Sequence, residues 1–231
     1  MKNILFLIVT ACLLSCSTTS SDYILTDGER TFCQNTGFDT TIISSIRLYN
    51  SDSFKIFVPE EPDMAVLNET EVKWHNGTPP ILSGLTFNEV NSKSADLIEN
   101  LNDEFHAKGY TIFMRENNFG LNDSKDKIAV VKTINKSEIL KAVQTNGINW
   151  DIDNDSLISI IERFDKQLDL QFIGASYDWC EFRIKKTNVN WNTLADEVYE
   201  VCPDVVDQGT GAVDELAREM AQSKTLFFWW D

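Results

Sequence analysis

The chain is poor in the groups that most enzymes use for metal or nucleophilic chemistry. It has two histidines, His75 and His106, and no C-x-x-C pair or Cys/His cluster at zinc-ligand spacing. Metal hydrolases built on imidazole are therefore starved of ligands. No Ser/His/Asp signature stands out either. Positive charge is scarce: 20 Lys and Arg stand against 36 Asp and Glu, a formal charge of −16. That balance disfavours binding to nucleic acid phosphates or anionic lipid headgroups, and a basic or neutral partner is the better expectation. Past the first residues no apolar run is long enough to span a bilayer, so the body is expected to be soluble and tethered.

What is present starts with the leader. Lys2 heads an apolar stretch from Ile4 to Leu14, interrupted by Thr10, that closes on Leu13-Leu14-Ser15-Cys16. At roughly eleven residues it is too short to cross a membrane, which takes about twenty. The ending resembles the lipobox of a bacterial lipoprotein. That resemblance implies removal of residues 1–15, a diacylglyceryl group on the Cys16 sulfur and acylation of the new amino terminus. An ordinary signal peptide cut elsewhere, or an anchor that is never cut, is the alternative. Two or three acyl chains hold a protein durably where one does so marginally. Ser17, where retained inner-membrane lipoproteins typically carry Asp, favours the outer membrane by the same resemblance, with the body facing the periplasm. Residues 16–21 then read as a lipidated, flexible tether. The covalent lipid is the only membrane contact expected.

Cys33, Cys180 and Cys202 remain once Cys12 is cleaved off and Cys16 is lipidated. An odd count leaves at least one thiol unpaired within a monomer. They read as buried apolar residues, ahead of a Cys180–Cys202 disulfide and of a catalytic cysteine, since both histidines lie far off in polar surroundings.

Residues 22–80 read as a small N-terminal region. It holds a short helix ending near Gly37, strand-like pieces at Thr41 to Leu48 and Phe54 to Val58, and breakers at Pro59, Pro62, Pro79 and Pro80. Residues 81–231 are clearer. A strand from Leu85 to Val90 precedes a helix from Ser92 to Lys108, with Leu97, Ile98, Leu101 and Phe105 on one face and Gly109 as terminator. Strands from Tyr110 to Arg115 and Lys127 to Thr133 flank an Asn- and Asp-rich, exposed loop. Helices follow from Lys136 to Asn146, with Asn135 and Glu138 in capping-box spacing, and from Asn154 to Leu168. A hairpin from Leu170 to Lys185 turns Cys180, Phe182 and Ile184 inward. Two more helices run from Asn190 to Cys202 and from Ala212 to Gln222. The closing run Leu226-Phe227-Phe228-Trp229-Trp230 lacks alternation and reads as an interior strand covered on both faces. The expected fold is α+β: a mixed sheet of about six strands packed with helices, built from βαβ units joined by antiparallel turns and ferredoxin-like in its C-terminal part.

Four segments carry a resemblance: Thr145-Asn146-Gly147-Ile148-Asn149, Cys202-Pro203-Asp204, Asp207-Gln208-Gly209-Thr210-Gly211 and Trp229-Trp230-Asp231. Together they resemble bacterial domain-of-unknown-function family 4253, over roughly Leu82 to Asp231. The resemblance implies a domain and transfers no catalytic residue.

The candidate binding residues are Asp204, Asp207, Gln208, Gly209, Thr210, Gly211 and Asp231. The glycine-flanked turn precedes a helix, where free N–H groups could hold an anion or carboxylate. The competing reading is a tight turn that needs positive backbone angles. Asp151-Ile152-Asp153-Asn154-Asp155 with Glu162 imitates an EF-hand loop, but Ser156 occupies the position that needs Gly. Asp153 or Asp155 therefore reads as a helix cap, and no metal or cofactor is expected. Trp179, Trp191, Trp229 and Trp230 fit a core better than a sugar or peptide platform. Asp178 and Glu181 read as chance neighbours in an acidic chain rather than a glycosidase pair. These readings favour a non-enzymatic binding or protein-interaction module with an unidentified protein or small-molecule partner. The alternatives are an envelope hydrolase using Asp204, Asp207 and Asp231, and an immunity-type inhibitor whose acidic face blocks a basic toxin.

Overall fold

The computed structural model describes residues 23–59, 79–119 and 125–230. The leader, Cys16, the tether and Asp231 lie outside the described residues.

Residue 39 decides the course of the chain after the first helix, α1 (Asp27–Thr36). The segment Thr40-Thr41-Ile42-Ile43 has strong β preference, yet it opens α2 (Thr40–Arg47) instead of the expected strand. The Asp39 carboxylate accepts the Thr41 N–H at 2.8 Å, and Ile42, Ile43 and Ile46 fall on one helical face and are fully buried. A cap and a helical apolar stripe outweigh β-branching, which costs a helix only tenths of a kcal/mol per residue.

Thereafter the order is β1 (Lys55–Ile56), β2 (Gly84–Val90), α3 (Asn91–Ala107), β3 (Thr111–Glu116), β4 (Lys125–Val131), α4 (Lys136–Val143), a 3-10 turn (Ile148–Trp150), α5 (Asn154–Leu168), β5 (Leu170–Ala175), β6 (Trp179–Ile184), α6 (Trp191–Val201), a π-helical turn (Val205–Thr210), α7 (Val213–Ser223) and β7 (Thr225–Trp229). Asp153 caps α5 by accepting the Ser156 N–H at 2.7 Å. α4 ends early, at Gln144 with φ +53°, and Glu138 accepts the Thr133 hydroxyl.

The strands form one seven-stranded mixed sheet in the order β1-β2-β4-β3-β5-β6-β7. Every pairing is antiparallel except β3 with β5, joined at Met114 and Gly174. β4 is inserted between β2 and β3, so the interleaved strand–helix–strand unit is β2-α3-β3-β4. The fold is thus the expected α+β mixed sheet with helices.

Helices cover both faces. On one, α4, α5, α6 and α7 close over Phe113, Val131, Phe172, Phe182 and Phe228. On the other, α1, α2 and α3 close over Leu85, Phe87, Ile112, Ile128 and Val130. Strands β3 and β4 are buried on both sides, hence their near-continuous apolar sequence. The described part of the N-terminal third joins this second core. Tyr110 accepts the Asp39 N–H at 2.9 Å, and Glu29 pairs with Arg47 at 2.7 Å. Burial raises the Glu29 pKa, but hydrogen bonds from Thr26, Arg47 and Tyr23 outweigh it and hold the carboxyl below its usual range. Asp126, expected in an exposed loop, is fully buried at the start of β4. It accepts hydrogen bonds from Asn91 Nδ2 and the Asn118 N–H.

The closing strand departs from expectation. Among the described residues β7 pairs only with β6 and forms an edge of the sheet. Leu226, Phe228 and Trp230 point into the first core, while Thr225, Phe227 and Trp229 are half-buried. Phe227 and Trp229 pack against the second core, which accounts for the unbroken apolar run.

Candidate functional site

The motif segments meet at the end of the sheet where β7 finishes. The 3-10 turn packs against the last tryptophan so closely that a Cβ on Gly147 would lie 2.7 Å from Trp230 Nε1. Trp230 in turn stacks on Phe228, with ring centroids 5.7 Å apart, and donates from Nε1 to the Val201 carbonyl at 3.4 Å. Asn146 is buried and turns the chain: its N–H donates to the Tyr177 carbonyl, and its Oδ1 accepts the Ile148 N–H. Nearby, Thr145 Oγ1 donates to the Ser176 carbonyl at 2.6 Å.

Asp204 sits at the head of the π turn and is 4 % exposed. Its Oδ2 accepts Trp150 Nε1–H at 2.9 Å, and its Oδ1 accepts Gln208 Nε2–H at 3.1 Å. Asp204 and Gln208 are therefore brought together, and they tie the π turn to the 3-10 turn. Asp207 faces elsewhere: it is exposed and accepts the Tyr199 hydroxyl at 3.2 Å, a contact that raises the tyrosine pKa. Gly211 has φ +76°, and its N–H donates to the Val206 carbonyl at 2.7 Å, closing the π turn. A positive angle there suits glycine. Gly209 has no such angle and lies within the π turn. Single π turns recur at functional sites.

Gly209 and Thr210 line a groove of about 400 Å3 between the π turn, α7 and the outer side of β7. Leu216 and Met220 of α7, Val205, Phe227 and Trp229 supply its apolar walls, and Glu219 is the one charged residue in its lining among the described residues. Sequence reasoning placed two of the seven candidates here and missed the groove. It also missed Trp150, the donor to Asp204, although that residue directly follows the Thr145–Asn149 motif. The signal available in the sequence was a tryptophan directly beside a motif; in the structure it is 44 % exposed.

Among the described residues Cys33, Cys180 and Cys202 are free and buried. Cys202 closes the end of the β7 edge: its Sγ donates to the Trp229 carbonyl at 2.9 Å and accepts the Trp229 N–H at 3.4 Å. Burial pushes its pKa up to about 11 and that of Cys180 well above the usual thiol range. Because the thiolate is the nucleophile, Cys33, Cys180 and Cys202 are expected to resist iodoacetamide in the native protein and to react within minutes in denaturant. Peptide mass mapping checks this, and native alkylation of Cys202 would show that the edge opens.

The other candidates are dispersed. Asp151 takes φ +56° after the 3-10 turn, Asp155 lies 3.4 Å from Lys141 Nζ, and Glu162 accepts the Ser137 hydroxyl at 2.8 Å. Asp178 is exposed in the β5–β6 turn. Glu181 lies across from Phe227, where burial raises its pKa against the opposing effect of Arg183. Trp179 and Trp230 are buried, and Trp191 lies under Lys224, with Nζ 4.5 Å from the ring centroid. Among the described residues no group of three or more His, Cys, Asp or Glu could hold a metal ion, and no helix is long and apolar enough to cross a membrane.

Residues 127–231 match a family described as Domain of unknown function (DUF4253). The matched span begins within β4 and takes in the 3-10 turn, the π turn, α7 and β7, so it contains the whole groove. No curated protein and no solved structure matches the chain.

Proposed function

We propose that this chain is a non-enzymatic binding module, held at the outer membrane by a lipid on Cys16 and facing the periplasm, with the groove between the π turn, α7 and β7 as its contact surface. The observation that carries this reading is the division of labour within one segment. Asp204 is turned inward and occupied by Trp150 and Gln208, whereas Gly209 and Thr210, five and six residues on, open onto apolar walls. Apolar concavities with a few polar groups are the usual form of a ligand site. Hydrolysis by carboxylates draws no comparable support, because Asp204 and Asp207 take different partners on different sides of the π turn.

The test is affinity capture from native envelopes, using the full-length lipidated protein and mass analysis of its processed amino terminus. Gly209→Arg is suited to block the groove, since the glycine is exposed, has an ordinary φ, and a Cβ there would meet only the Asp204 carbonyl at 3.8 Å. Gln34→Arg, exposed on α1, is the control. A partner lost with Gly209→Arg and kept with Gln34→Arg is the expected result. Equal capture by all three proteins defeats the groove reading, and an unmodified Cys16 defeats the anchor.

A further inference from the structure

The backbone of β7 specifies the shape of what the groove takes. Arg183 pairs with Thr225, Glu181 with Phe227 and Trp179 with Trp229. The flanking bonds, Ile184 N–H to the Lys224 carbonyl and Trp230 N–H to the Asp178 carbonyl, make these the non-hydrogen-bonded pairs of the ladder. The N–H and C=O groups of residues 225, 227 and 229 therefore point away from β6, off the edge of the sheet.

The ends of this row are partly occupied by the chain itself. Thr225 N–H donates to Ser223 Oγ at 3.1 Å, and both polar groups of Trp229 bond to Cys202 Sγ. At the centre, the N–H and C=O of Phe227 face the groove as a donor and acceptor pair. An open edge of this kind is a template for another strand.

Charge selects the partner. Among the described residues Glu219 is the one charged lining residue, Asp214 is exposed on the same helix, where Glu215 is paired with Arg218, and the chain carries −16 overall. A second copy would bring the same sign to the same edge, whereas a basic segment would be drawn in.

We propose that β7 accepts an extended segment of a partner protein as an added strand, with apolar side chains on the groove walls and basic residues alternating between them. This is the strand-addition mode of peptide recognition, in which main-chain bonds hold the segment and alternate pockets select it. It rests on the groove reading above.

The probe is a capped heptapeptide alternating Lys and Val, titrated calorimetrically into the full-length protein in detergent micelles. Two further peptides accompany it, one N-methylated at the central residues and one with Glu in place of Lys. Binding of the Lys/Val peptide is expected, together with slowed hydrogen exchange at the Phe227 amide. At least tenfold weaker binding is expected with the N-methylated peptide, with the Glu peptide and with Glu219→Lys protein. Glu219 is exposed, so its replacement leaves the fold intact. No binding at millimolar Lys/Val peptide, or equal binding of the N-methylated form, overturns strand addition. If that happens while capture remains sensitive to Gly209→Arg, strand addition alone falls. Capture insensitive to Gly209→Arg overturns the groove and strand addition with it.

Discussion

Replacing Phe172 with alanine is expected to lower the unfolding free energy by about 4 kcal/mol. Phe172 is the central ring of a ladder that crosses the sheet on its first core face. Phe113 meets it edge-on at a centroid distance of 5.4 Å and Phe182 at 5.3 Å, with interplanar angles of 87° and 84°. Phe57, the residue after β1, extends the row at 6.2 Å from Phe113. Removing the ring at the centre takes away its transfer free energy, leaves a cavity under α4 and α5, and ends two aromatic contacts of about 0.5–1.5 kcal/mol each. These terms overlap, so the total stays within the usual Phe→Ala range of about 3–5 kcal/mol. Phe172→Leu keeps most of the apolar volume and should cost about 1.5 kcal/mol or less. Urea denaturation checks both, read as a shift in midpoint at constant slope. Against a typical stability of roughly 5–15 kcal/mol, the alanine variant is a severe lesion. A loss below about 1.5 kcal/mol would mean that the ladder does not hold β3, β5 and β6 together.

Most elements were readable because burial imposes a period on the sequence. Leu157, Ile158, Ile161, Phe164 and Leu168 mark α5 at helical spacing, and Cys180, Phe182 and Ile184 mark β6 by alternation. The departures share a cause: local composition does not specify the partner a segment packs against. The Thr40–Ile43 run is strand-like by propensity, and one aspartate cap with three buried isoleucines makes it a helix. The Leu226–Trp230 run suggested an interior strand because nothing in it is polar. Its outer residues Phe227 and Trp229 are indeed covered by the second core, but β7 is an edge strand and the same residues also line the groove. Asp126 looked like a loop residue until Asn91 and Asn118 enclosed it. The motifs at 145–149, 202–204, 207–211 and 229–231 marked one domain by resemblance, and the structure brings their described residues to one end of the sheet. Which of their side chains are tied down and which open on a cavity depends on contacts across more than 50 residues, such as Trp150 with Asp204. Periodicity carries no information at that range.

That last contact separates scaffold from site by measurement. Asp204→Ala is expected to cost about 2–3 kcal/mol, because hydrogen bonds to a charged, buried acceptor are worth about 1.5–3 kcal/mol. The loss frees the 3-10 turn from the π turn. Asp204→Asn should cost less, about 1–2 kcal/mol. One amide oxygen can still accept from Trp150 or Gln208, but the amide nitrogen then faces the other donor. Trp150→Phe keeps an aromatic side chain but removes the indole N–H, so a double-mutant cycle of Asp204→Ala with Trp150→Phe reads their coupling, expected at about 1 kcal/mol or more. Both variants should also weaken partner capture, because the π turn that Asp204 anchors carries Gly209 and Thr210 into the groove. Two outcomes would assign Asp204 differently. Unchanged stability with lost capture would make its carboxylate a direct ligand contact. Unchanged stability with unchanged capture would leave the Trp150 contact without consequence. The geometry of a 4 % exposed carboxylate with two protein donors argues for the first expectation, that Asp204 shapes the groove from behind.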